Sequence, residues 1–274
     1  MASIGPAIEL YQSPRGRGWV GLSLKRTARR SLAILALVAV WEIAPRAGLV
    51  EAAFLPPVSE VLKTLWLLAK SGQLLTHLGA SLSRSLAGLA LAIVYAVPVG
   101  IAIGWYRGFA EAINPLLEIL RNTAALALLP VFILLLGIGE ASKIALVVYS
   151  CSWPILLNTI SGVRNVDPLL IKSARTMGLS SMQLFRKVIL PASVPTIFVG
   201  IRLAGAYSLL VLVAAEMIGA KAGLGYLIIY SQYNFQIPQM YVGIIATALV
   251  GVAFNQVLLQ LERRLTSWKG APAD

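Results

Sequence analysis

The sequence predicts an all-α integral membrane protein, with six transmembrane helices and an ordered cytosolic loop between the fourth and the fifth. Three observations carry this reading. Apolar residues make up 58% of the chain and charged residues only 12%, with a mean hydropathy of +0.81; a soluble domain holds roughly 45–50% and ~25%. The apolar residues come in long unbroken runs, as in spanning helices, and do not alternate as in barrel strands. Finally, the 23 Lys and Arg residues cluster at alternate ends of those runs, as the positive-inside rule requires.

Residues 1–30 read as a basic cytosolic tail. Arg29-Arg30 opens an apolar run, but Trp41, Glu42 and Pro45 follow where a cleavable leader would need small residues. Residues 31–49 therefore read as the first span, interrupted by Glu42. After it comes "FLPPVSEVLKTLWLLAKSG", with Val61, Leu62, Leu65 and Leu68 at helical spacing behind Pro56-Pro57. That is a short amphipathic helix on the outer face, too short to cross. Residues 31–75 thus form a first span with an external segment.

The core occupies 76–262, with spans at 78–104, 114–137, 142–163, 192–218 and 239–261, and a cytosolic tail covers 263–274. With the N-terminus inside, fifteen Lys and Arg residues fall in cytosolic segments, five in external ones and three within spans. Both termini are therefore expected in the cytosol.

The loop at 164–191 is unlike the rest of the chain. "DPLLIKSARTMGLSSMQLFRKVILPASVP" reads as two short helices joined by a tight turn. Asp167 caps the first, with Pro168 at its first helical position. Gly178 stands where a helix end needs a left-handed residue. Ser180 and Gln183 form a capping-box pattern. Leu170, Ala174 and Met177 share one face of the first helix. Met182, Phe185 and Ile189 share one face of the second, and Gln183, Arg186 and Lys187 another. Pro191 and Pro195 are expected to stop the second helix and start the fifth span. Such a loop suits either acidic lipid headgroups or a cytosolic protein partner.

The loop resembles the cytosolic signature of bacterial ABC importer permeases: Glu-Ala-Ala, three residues, Gly, nine residues, Ile, one residue, Leu-Pro. Here Ala174, Gly178, Leu190 and Pro191 stand at the matching places, and Lys172 and Ser173 replace the glutamate and the first alanine. "LVAAEMIGAKAGLGYLI", "LLLGIGEASKI" and "FLPPVSEVL" are similar to the nitrate/sulfonate/taurine branch of that family, so the resemblance covers roughly 50–265. It implies a permease subunit in the bacterial inner membrane, working as a homodimer. Two cytosolic ATPase subunits would hold ATP and Mg, an external binding protein would deliver the solute, and this chain would bind no cofactor. It further implies that Lys172, Ser173, Ala174, Arg175, Thr176, Met177, Gly178, Leu179, Ser180, Ser181, Leu184 and Phe185 form a coupling helix seated on the ATPase. The solute it implies is a small oxidised anion: nitrate, a sulfonate or taurine, or bicarbonate.

Other polar residues inside the spans are candidates for the path. Glu118 and Arg121 are spaced for an intrahelical ion pair or a solute contact, with Asn122 and Thr123 beside them. Arg202 is expected near mid-membrane, facing either an anion or Glu118. Glu216 ends the fifth span, ahead of a glycine-rich segment that reads as a gate or simply as a turn. Arg84 is expected to snorkel outward, His77 to lie at the interface, and Gly100 with Gly104 to mark close helix packing. Cys151 reads as a small packing residue.

The chain holds no GxxxxGK[ST] loop and no GxSxG, and only one histidine and one cysteine. ATP hydrolysis, a zinc centre and a nucleophile–base dyad on this chain are thereby excluded as readings. The basic balance follows from topology and needs no nucleic acid. An ion-coupled secondary transporter is the alternative, although the inverted repeats usual there are not found.

Overall fold

The computed structural model describes residues 19–265, and every regular element among them is helical. Much of the expected N-terminal tail (1–18) and most of the expected C-terminal one (266–274) lie outside the described residues. The chain divides into two compact units, up to Ser59 and from Glu60 onward.

In the first unit, α1 (Trp19–Arg46) begins well before the expected start of the span at 31. Charges at Arg29, Arg30, Glu42 and Arg46 interrupt its apolar stretch, and it is not among the helices apolar enough to cross a membrane. Glu42 has a local partner set. It accepts from the Ser59 backbone N–H at 3.0 Å and the Ser59 hydroxyl at 2.9 Å, and pairs with Arg46 at 2.5 Å. The Trp41 indole donates to the Pro56 carbonyl at 3.1 Å.

Next comes the expected amphipathic helix, α2 (Val58–Lys70). Val61 and Leu68 are buried, but Leu62 is exposed, so the apolar face is narrower than the sequence pattern suggests. The second unit continues with α3 (Gln73–Trp105), α4 (Arg107–Arg121), a 3₁₀ turn (Ala125–Leu128), α5 (Leu129–Leu136) and α6 (Glu140–Arg164). The loop expected in the cytosol holds α7 (Pro168–Thr176) and α8 (Ser181–Leu184), and a π-turn (Phe185–Ile189) leads into α9 (Leu190–Glu216). A short helix, α10 (Leu224–Tyr233), lies where a loop is expected, and α11 (Ile237–Leu265) completes the described residues.

The core is the packed trio α3, α6 and α9, built on Leu89, Ala92, Ala96, Val147, Ile155 and Leu212. Glycine sets the approach of α3 to α6. A Cβ at Gly100 would stand 2.8 Å from the Thr159 Cβ, and one at Gly104 2.7 Å from the Val163 Cβ. The expected packing role of that pair holds: without side chains the backbones close to a distance larger residues would forbid. Cys151 packs in the same core, its thiol donating to the Ala204 carbonyl at 3.3 Å.

Among the described residues, four helices are long and apolar enough to cross a membrane: Gln73–Trp105, Glu140–Arg164, Ser181–Glu216 and Ile237–Arg264. A fifth crossing arises if α4 and the segment Ala125–Leu136, bent by 87°, count as one. The continuous third span expected at 114–137 is thus broken. The cause is local. Asn122 Nδ2 donates to the Glu118 carbonyl at 2.8 Å, and Thr123 Oγ1 to the Ile119 carbonyl at 3.1 Å. These side chains end the helix by competing for its carbonyls, and Ala124 then turns extended.

Candidate functional site

The loop after α6 is ordered residue by residue through its own side chains. Asp167 accepts from the Leu169 N–H at 2.8 Å and caps α7, with Pro168 in the first turn. Gly178 adopts φ +75°. Its N–H donates to the Arg175 carbonyl at 3.0 Å, and the next N–H, of Leu179, to the Ala174 carbonyl at 3.2 Å. That pair of bonds is a Schellman closure. Two residues later the capping box forms in both directions: the Ser180 N–H donates to Gln183 Oε1 at 3.0 Å, and the Gln183 N–H to Ser180 Oγ at 3.4 Å.

Ala174, Leu184 and Ile189 are buried against Val163 and Val166 at the end of α6, and Phe185 packs on Trp105 with ring centroids 5.1 Å apart. The expected apolar faces are divided. Ala174 and Ile189 turn inward, but Leu170, Met177 and Met182 are exposed, as are Lys172, Ser173, Arg175, Thr176, Ser180 and Ser181. The loop is therefore fastened on one side and presents methionines and basic residues on the other.

The second helix does not stop at Pro191. It passes through the π-turn, where the Leu190 N–H donates five residues back to the Phe185 carbonyl, and continues as α9. Proline supplies no N–H and crowds the carbonyl four residues earlier; a one-turn π-widening absorbs the misfit without a break.

The in-span candidates separate into three settings. Glu118 and Arg121 form the expected pair, at 3.8 Å and largely exposed. They line a cavity of about 320 Å³ with Asn114, Leu157, Ile160 and Arg164. Asn122 and Thr123 cap α4, as described above. Arg202 pairs with Glu262 of α11 at 3.3 Å, not with Glu118. Along its helix it stands 21 residues after Ser181 and 14 before Glu216.

Glu216 has no access to solvent. It accepts from Arg84 Nη1 at 2.6 Å, from the Ser81 hydroxyl at 2.8–2.9 Å and from the Gly225 N–H at 3.0 Å. Arg84 is buried rather than snorkelling. It also donates through Nε and Nη2 to Glu140, the latter bond at 2.6 Å, and through Nη1 to the Ala222 carbonyl at 2.6 Å.

The glycine-rich segment is pinned at further points. The Gly223 N–H donates to His77 Nδ1 at 3.2 Å, the Leu224 N–H to Ser81 Oγ at 2.8 Å, and Lys143 Nζ to the Gly139 and Gly219 carbonyls at 3.0 and 3.3 Å. Glu216 stands far from Arg84 and His77 in the sequence, which does not announce the knot they make with Ser81, Glu140 and Lys143. Its only sequence signal was the polar run Ser81, Arg84, Ser85 inside an apolar helix.

Comparison with known proteins fits this arrangement. Residues 88–267 match the family described as "Binding-protein-dependent transport system inner membrane component". The chain belongs to this family. Relatives over most of the chain agree. A putative aliphatic sulfonates transport permease protein of Escherichia coli is 37% identical over 235 residues, covering 86% of this chain and 89% of that one. The taurine transport system permease protein of the same organism is 34% identical over 253 residues, covering 90% and 92%. In fold, the chain is similar to the methionine ABC transporter solved in inward-facing conformations, with a TM-score of 0.63 at 18% identity over 73% of this chain and 97% of that one. The chain is thus an ABC permease component: a helical, non-catalytic membrane subunit.

Proposed function

We propose that this permease carries small sulfonates, of the alkanesulfonate and taurine class, into the cell as part of an ATP-driven importer. It works as a homodimer in the inner membrane with both termini cytosolic. Two separate ATPase subunits hold ATP and Mg, an external binding protein delivers the solute, and this chain binds no cofactor. The names of its relatives support the solute class.

One observation carries the mechanical part: the loop at 167–184 is closed at every helix end by its own residues. ATP binding draws two ATPases together, and a helix seated in each must move as a rigid body to pass that motion on. A Schellman turn at Gly178 and a capping box at Ser180 supply that rigidity. The exposed Lys172, Met177 and Met182 supply the contact surface.

The test is purification from native membranes in mild detergent, mass spectrometry of what co-purifies, and reconstitution with a Gly178→Leu variant alongside. An ATPase retained by the native chain, with ATP hydrolysis uncoupled from sulfonate uptake in the variant, is the expected result. Uptake by the chain alone, driven by an ion gradient, would overturn it in favour of a secondary transporter. Full coupled uptake by Gly178→Leu would remove the role of the loop.

A further inference from the structure

Five polar side chains of α4 stand at positions 107, 111, 114, 118 and 121. The four–three spacing puts them along one side of the helix. They border two cavities. One of about 600 Å³ lies among Arg107, Glu111, Asn114, Arg164 and Arg175. The other, of about 320 Å³, is the one already described at Glu118 and Arg121. Asn114 and Arg164 line both, so the two adjoin as one cleft between α4 and α6. It opens beside the capped loop and follows α4 for its length, roughly 22 Å at ~1.5 Å per residue.

The charge in this cleft is unbalanced. Four arginines face two glutamates, and one of those, Glu118, is taken by Arg121. Among the described residues, Arg107, Arg164, Arg175 and Glu111 enter no ion pair. Arg164 spends one N–H on the Ile103 carbonyl at 3.3 Å and keeps the remaining donors of its guanidinium. A polar helix face of this kind is expensive against lipid, so it faces water or protein. Unneutralised guanidinium groups along a narrow cleft concentrate anions in it, and their planar forks fit the oxygens of a tetrahedral oxyanion.

We infer that the α4–α6 cleft is the exit vestibule through which the sulfonate anion leaves for the cytosol. Arg164 takes its oxygens where the two cavities join, and Arg107 and Arg175 stand at the mouth. This rests on the sulfonate reading above and adds the residues that would act on the solute after it has crossed. The competing occupant of the same charge is an acidic side chain of the docked ATPase.

Substituted-cysteine labelling of the assembled complex, in inside-out vesicles, separates these. In a Cys151→Ser background, Asn114→Cys is treated from the cytosolic side with two methanethiosulfonate reagents, one bearing a sulfonate and one a trimethylammonium group. Relative to their rates with a free small thiol, the sulfonate reagent is expected to react roughly tenfold faster. Arg164→Gln should abolish that preference and Arg164→Lys restore most of it. In uptake of ethanesulfonate, Arg164→Gln should lower kcat severalfold with KM unchanged, because capture occurs on the other face.

Both results are required. Equal normalised rates for the two reagents overturn the inference whatever the uptake, and so does an unaltered kcat. Labelling that appears only when the ATPase is stripped away assigns the arginines to docking instead. If the wild-type complex moves no sulfonate at all, the functional reading has failed; if it does and the labelling ratio is flat, the vestibule alone has.

Discussion

Arg84 of α3 and Glu216 at the end of α9 meet at 2.6 Å, with the glutamate side chain fully sealed from solvent and the arginine nearly so. Glu140 of α6 completes the group, so three helices of the core are joined through one guanidinium. Removing one member of a buried pair strands the other and typically costs 3–5 kcal/mol. Arg84→Met is therefore expected to destabilise the permease by about that amount, because it strands Glu216. Adding Glu216→Gln should recover part of the loss. Thermal unfolding of the detergent-solubilised complex is the measurement, and an unshifted midpoint for Arg84→Met would refute the account.

The turn at Gly178 requires a left-handed backbone, which costs an ordinary L-residue roughly 1–2 kcal/mol. Gly178→Ala should speed amide exchange at Gly178 and Leu179, whose N–H groups close the turn, and leave the α3–α6–α9 core protected. Ser180→Ala removes one half of the capping box and should cost about 1 kcal/mol, read as faster exchange at Gln183. Uniform protection in both variants would mean that contacts with α6, not caps, hold the loop.

Two glycines of α3 should behave in opposite ways. At Gly100 a methyl group meets Thr159 of α6, so Gly100→Ala should cost about 1–3 kcal/mol by overpacking. At Gly79 a Cβ meets nothing within 4 Å, so Gly79→Ala should gain up to about 1 kcal/mol of helix propensity. Chemical unfolding of the pair side by side checks the contrast; equal effects would show that glycine does not set the approach of these helices.

Arg202 is tied to Glu262, so its charge serves α9–α11 packing. Arg202→Gln is expected to leave the preference among anions unchanged and to cost about 1 kcal/mol of stability, as partly exposed pairs do. The swap Arg202→Glu with Glu262→Arg should restore most of it. A changed anion preference in uptake by Arg202→Gln would instead place this arginine on the path.

What the sequence disclosed follows from how local each feature is. Asp167, Gly178, Ser180 and Gln183 act on backbone groups at most five residues away, and all three caps they form are legible. Gly100 and Gly104 were legible because their spacing repeats with the helix. The Arg84 knot was not, since it joins residues more than 130 positions apart in the chain and no periodicity links them. The bend after α4 had a signal, Asn122-Thr123, but it was read as polarity along a path, when these side chains in fact end a helix. The expected continuous third span fails for a similar reason: an apolar run of adequate length does not reveal that Ala124 turns extended within it.

Ser181–Glu216 runs as a single helical element through its π-turn, about 54 Å at ~1.5 Å per residue against a bilayer core of ~30 Å. One tip is the capped loop and the other is the carboxylate held by Arg84. The surface proposed to meet the ATPase and the knot that fastens the glycine-rich segment are thus opposite ends of one lever. A tilt imposed at Ser181 reaches Glu216 with no chain of side chains in between, and the π-turn, the widest and softest point along the shaft, is where a substitution would make the two ends move independently.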